Sequence, residues 1–134
     1  MNARFSCSAL RRTFTWGWRV LLLALLWAVW RIALAPVTSN EPDWFENADK
    51  VRHMGAFFTF WCVGVQGFER RHWPGLAVAL LGYGAAIEIA QQMLTTDRDA
   101  SWADGLADAV GLALGWVVQH LSRLGTQQFS PPTT

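Results

Sequence analysis

Residues 102–121 read WADGLADAVGLALGWVVQHL. A helix needs about 20 residues to cross a bilayer core of roughly 30 Å, and this segment has that length. At about 100° per residue, Asp104, Asp108, Gly111 and Gly115 fall on one narrow stripe. Small residues on such a stripe let a second helix approach closely. The two acids on it are therefore expected to face a neighbouring helix rather than lipid.

Three further segments toward the N-terminus have the same character. They are residues 74–94, PGLAVALLGYGAAIEIAQQML, residues 51–68, and residues 16–35, WGWRVLLLALLWAVWRIALA. Pro74 opens its segment where a missing backbone N–H costs nothing. The whole chain of 134 residues is 52% hydrophobic, contains 9 Trp and is only 16% charged, against about 25% charged in an ordinary soluble domain. The expected fold is all-α, an integral membrane four-helix bundle. Residues 1–15 form an N-terminal segment, 16–121 the four-span domain, and 122–134 a disordered tail rich in Gln, Ser, Thr and Pro.

The first apolar run also has features of an export signal, with Arg11 and Arg12 ahead of it and Ala33-Leu34-Ala35 at its end. It is long for a signal core, however, and Pro36 would follow the cut, so a retained span is the expectation. Orientation follows from the basic residues near the span ends. Arg4, Arg11, Arg12, Arg70, Arg71 and Arg123 lie on one side, and only Lys50 and Arg98 on the other. Both termini are therefore expected in the cytoplasm. Trp16, Trp18, Trp73 and Trp116 would anchor the inner interface, and Trp30, Trp44 and Trp102 the outer one. Arg19, Arg31 and Arg52 near span ends are expected to snorkel toward the interface.

A net charge of +1 with no basic stripe gives no case for nucleic acid. Cys7 and Cys62 are isolated and form neither a disulfide framework nor a zinc motif.

The polar residues of the spans converge on one depth. Asp49, Lys50 and His53 open the second span at its outer end, as Asp104 and Asp108 do in the fourth. Glu88 and Gln92 share a face of the third span with Gly84, and Gln91 lies on its flank. Glu88 is six residues before Leu94, about 9 Å below the outer end at 1.5 Å per residue. Arg98, in the outer loop, can fold back over the acids. Ionisable groups inside a membrane cost about 2.5–3.5 kcal/mol each at a span centre and usually mark function. Taken singly, each of these residues also fits a structural role. Asp104 suits a first helical turn, Asp49 a helix cap, and any of them an interhelical hydrogen bond.

These residues, with their spacing, resemble the VanZ-like family. The resemblance is carried by Asp49-Lys50-x-x-His53, by Glu88-x-x-Gln91, and by Arg98, Ser101, Asp104, residue 108, Gly111 and Gly115. It covers residues 49–118. The chain departs at Asp108, where the family often has Asn; the extra acid weakens any scheme that needs a neutral amide there and strengthens cation binding. The family takes its name from a protein associated with low-level teicoplanin resistance, so the resemblance implies an envelope-facing membrane protein rather than a particular reaction.

Three functions are compatible with the residues. In the first, the protein binds or modifies a membrane lipid or lipid-linked envelope component. His53, Glu88 and Asp104 would act on protons, while Asp49, Lys50, Gln91, Gln92, Arg98, Ser101 and Asp108 would hold the head group. In the second, an enzyme uses a divalent cation such as magnesium, with Asp49, Glu88, Asp104 and Asp108 as oxygen ligands, on a phospholipid-type head group. In the third, an oligomer couples transport to protons or ions through its intramembrane acids.

Overall fold

In a computed structural model of the protein, the described backbone comprises residues 3–35, 47–95 and 101–128, with side chains described for 12–35, 47–95 and 101–125. The connections that hold Glu41, Asp43, Trp44, Glu46, Asp97, Arg98 and Asp99 lie outside the described residues.

The described chain is all-helical. Helix α1 spans Ala3–Ala33, α2 Ala48–Gly67, α3 Trp73–Leu94 and α4 Trp102–Gln128, with a single 3₁₀ turn at Arg70–His72. No strand occurs among the described residues. Each helix follows from one of the apolar segments, and the starts of α2, α3 and α4 are marked in the sequence. Asn47, in the left-handed region at φ 69°, turns the chain into α2, and Asp49 occupies its first turn. Pro74 lies at the opening of α3. The amide of Asp104 bonds to the Ser101 carbonyl at 3.0 Å as α4 begins.

Two helices run past the expected limits. Helix α1 reaches back to Ala3, into the expected N-terminal segment, and α4 continues to Gln128, into the expected tail. In α4 the weakest helix former after Leu121 is Gly125; one glycine costs about 1 kcal/mol, and no proline intervenes before Pro131.

Two stretches, Arg12–Ala33 and Arg70–Leu94, are long and apolar enough to cross a membrane. Helix α2 holds Asp49, Lys50, Arg52 and His53, α4 holds Asp104 and Asp108, and α2 is the innermost of the four. It packs most extensively on α4, next on α1, and less on α3. Gly111 and Gly115 make the α2–α4 contact close. A Cβ at Gly111 would run into the backbone carbonyl of Met54, and one at Gly115 would sit 2.8 Å from the Trp61 ring. The glycine stripe therefore faces a neighbouring helix, as its spacing implied.

Leu22, Phe57, Phe60, Trp61, Leu80 and Leu112 form the centre of the core. Phe57, Phe60 and Tyr83 pack edge to face or tilted, with ring centroids 5.4–6.5 Å apart. The Tyr83 hydroxyl donates to the carbonyl of Leu26, which ties α3 to α1.

At the opposite end from the acids, Arg19 is half-buried. It donates through Nε to the Gly67 carbonyl at 2.8 Å, so it caps the end of α2 instead of simply extending to an interface. Trp73 also departs from its expected interfacial place. It is buried at the end of the core, packs on Trp61 with centroids 5.9 Å apart, and donates through its indole N–H to the Phe68 carbonyl. A buried indole N–H usually takes a partner, and for Trp73 the Phe68 carbonyl at the α2 terminus supplies one.

The outward faces are strongly apolar. Leu23, Trp27 and Ile32 on α1, Val78, Ile89 and Met93 on α3, and Leu106, Val118 and Leu121 on α4 are all more than half exposed or close to it.

Candidate functional site

Three helices meet at the polar cluster. His53 sits one turn into α2, Asp104 and Asp108 occupy the first two turns of α4, and Glu88 lies on the last part of α3. Asp108 is almost completely enclosed, with 2% of its surface exposed. One of its oxygens lies 2.9 Å from His53 Nδ1. A carboxylate can only accept here, so Nδ1 is the donor. This fixes the imidazole ring and turns Nε2 the other way, toward Glu88.

Glu88 Oε1 is 4.0 Å from His53 Nε2, beyond hydrogen-bond reach. The other Glu88 oxygen accepts the backbone N–H of Ser101 at 2.9 Å. Glu88 Oε1, Asp104 Oδ1 and Asp108 Oδ2 are buried and have no hydrogen-bond partner among the described residues. A nitrogen of His53 and one oxygen each from Glu88 and Asp104 lie within 4.8 Å of one another. Such an arrangement can share a proton or hold a cation.

The tight fit depends on Gly84. A Cβ at this position of α3 would collide with Asp108 Oδ2 and lie 2.9 Å from the Phe57 ring. The glycine lets α3 approach the acids of α4 while Phe57 seals the site from below.

The other expected residues divide. Ser101 takes part through its backbone amide rather than its hydroxyl. Asp49 and Lys50 form an ion pair at 3.3 Å, roughly half exposed, and stand at the rim. Partial burial acts to raise the Asp49 carboxyl, but hydrogen bonds from the Lys50 backbone and ammonium outweigh it and hold the group below its ordinary value. Gln91, expected on the flank, is buried and donates to the Ala33 carbonyl at 3.1 Å. Gln92, expected to face the site, is exposed. The two glutamines are thus exchanged relative to the reading from spacing, because the free carbonyl at the end of α1 takes up the Gln91 amide. Arg98 lies outside the described residues.

The sequence reading also missed a cleft beside the cluster. A space of about 300 Å³ opens between α1, α2 and α3. Val29, Ile32, Ala56, Phe57 and Ile87 form its apolar walls, and Asp49, Arg52, His53 and Gln91 its polar ones. Arg52, expected only to snorkel, is therefore also a cleft residue. His53 belongs to both the cleft and the acid cluster. Nothing in α1 marks its share of the cleft, since Val29 and Ile32 are indistinguishable in sequence from its lipid-type residues.

Comparison of the chain with protein-family models, with curated proteins and with solved structures yields no match.

Proposed function

We propose that this chain is a VanZ-like, multi-pass protein of the bacterial inner membrane. Its four helices form a membrane bundle with both termini in the cytoplasm, and its outward-facing site binds or modifies a lipid-linked component of the cell envelope. The observation that carries this reading is the shared position of His53, which is one wall of an amphipathic cleft and one member of a buried acid cluster. A cleft with one apolar and one polar side suits an amphiphile. The chain segment of such a ligand would lie against Val29, Ile32 and Ile87, and its head group would reach Arg52 and His53.

The apolar outer faces support insertion. A soluble monomer seldom exposes a continuous apolar patch larger than a few hundred Å², whereas here large apolar side chains point outward along α1, α3 and α4. The acids of α4 are compatible with lipid because Asp104 and Asp108 are buried inside the bundle, Asp108 against His53 of α2, as intramembrane charges usually are.

Mass spectrometry of lipids that co-purify with the full chain tests this reading. The wild-type protein is expected to retain a lipid-linked envelope intermediate. Ala56→Phe, which fills the cleft without touching the acids, is expected to lose it. Bulk phospholipid alone, in the same proportions for both proteins, would contradict the proposal.

A further inference from the structure

Three carboxylates and one imidazole share a small buried volume, and three of the six carboxylate oxygens there have no hydrogen-bond partner among the described residues. Asp104 is 8% exposed, its Oδ1 is buried without a partner among the described residues, and one of its oxygens lies within 4.8 Å of a His53 nitrogen and a Glu88 oxygen. Leaving buried carboxylate oxygens unpaired is costly, and a single imidazole cannot offset three such groups. Asp108 already occupies the Nδ1 side of that imidazole.

We propose that His53 Nε2, Glu88 Oε1 and Asp104 Oδ1 hold one divalent first-row transition ion. Glu88 Oε1 lies 4.0 Å from His53 Nε2, and one donor atom from each of the three residues lies within 4.8 Å of the others, a spread that one ion with ligand distances of about 2.0–2.2 Å can bridge with small side-chain shifts. Donation of the Nδ1 proton to Asp108 leaves the Nε2 lone pair available. A ligand histidine is typically held in this way, with a carboxylate orienting its second nitrogen. The donor set selects the class of ion. One imidazole with two carboxylates suits zinc or manganese, whereas magnesium and calcium favour oxygen alone, and the absence of thiolate among these donors disfavours copper(I). The ion's two positive charges offset the two ligating carboxylates, and Asp108 remains as the partner of the histidine.

Three protein ligands leave a coordination position open. Because His53 also lines the cleft, an oxygen of a bound head group can reach that position, and only this last step rests on the function proposed above. The ion would supply a positive centre to a site otherwise dominated by acids, which is what a phosphate-bearing head group requires.

Titration of the full-length, detergent-purified and chelator-treated protein with Zn²⁺, and separately with Mn²⁺, tests the proposal. One equivalent of at least one of the two is expected to bind. His53→Gln and Asp104→Asn are each expected to weaken binding at least tenfold, and Glu69→Gln, on the exposed turn before α3, to leave it within twofold. The wild type also supplies a readout that needs no variant: pulsed electron-spin resonance of its Mn²⁺- or Cu²⁺-loaded form is expected to detect one coupled imidazole nitrogen. Failure of both ions to bind, absence of the nitrogen coupling, or undiminished binding in folded His53→Gln and Asp104→Asn proteins would overturn the site. Metal bound without any retained envelope lipid would uphold this proposal and contradict the preceding one. Retained lipid in a protein that binds neither ion would do the reverse.

Discussion

His53 Nδ1 and Asp108 Oδ1 lie 2.9 Å apart across the α2–α4 contact, and this one bond sets the direction of the histidine's other nitrogen. Asp108→Asn keeps an oxygen that can accept from Nδ1 but removes its charge. The variant is expected to fold as the wild type does. Loss of an outer carboxylate behind a ligand histidine typically costs about 10–100-fold in metal affinity, and a fall of that size is expected in Zn²⁺ titration. An unchanged affinity would mean that Asp108 only packs.

Gly84 is expected to tolerate no side chain. Gly84→Ala places a methyl group against Asp108 and the Phe57 ring, and overpacking of this kind costs about 1–3 kcal/mol. Gly82→Ala, two residues away, meets nothing within 4 Å and is expected to be close to neutral. Thermal unfolding of the two variants in one detergent makes the comparison, and equal stabilities would contradict the close α3–α4 approach.

Gln91 and Gln92 give a second paired test. Gln91→Ala removes the donor to the Ala33 carbonyl and is expected to destabilise by about 0.5–1.5 kcal/mol. Gln92→Ala removes an exposed side chain and is expected to change stability by less than about 0.5 kcal/mol. A larger effect at Gln92 would reinstate the assignment that the helical spacing alone suggested.

Reporter fusions test the membrane arrangement. Fusions after residue 134 and at the N-terminus are expected to report the cytoplasm, and fusions within residues 36–46 the opposite side. An outward C-terminus or a cleaved N-terminus would contradict the four-span arrangement.

The helices and the inward facing of the α4 acids were legible in the sequence, because apolar runs and the spacing of Asp104, Asp108, Gly111 and Gly115 are local signals. The facing of α3 was less so. Positions three and four residues apart both lie on one helical face, so Gly84 and Glu88 were compatible with either glutamine turning inward. The choice fell to Gln91 because of the Ala33 carbonyl at the end of α1, a contact between residues 58 positions apart. The cleft was hidden for a related reason. Its α1 wall is built from Val29, Ile32 and Ala33, residue types that serve equally well against lipid. Trp73 shows the limit of composition: its place near a span end matched an interfacial anchor, but packing against Trp61 put it in the core.

The central claim is that Glu88 and Asp104 act chemically and do not merely join helices. Glu88→Gln and Asp104→Asn preserve size and hydrogen-bonding capacity while removing charge, and interhelical hydrogen bonds in membranes average only about 0.6 kcal/mol. The direct measurement is complementation of a deletion strain's envelope phenotype, or glycopeptide susceptibility in a sensitive host, with each variant shown to be inserted at the wild-type level. Both amide variants are expected to lose activity, and Arg70→Gln, on the exposed turn before α3, to retain it. Full activity of Glu88→Gln and Asp104→Asn would contradict the account and reduce the cluster to packing.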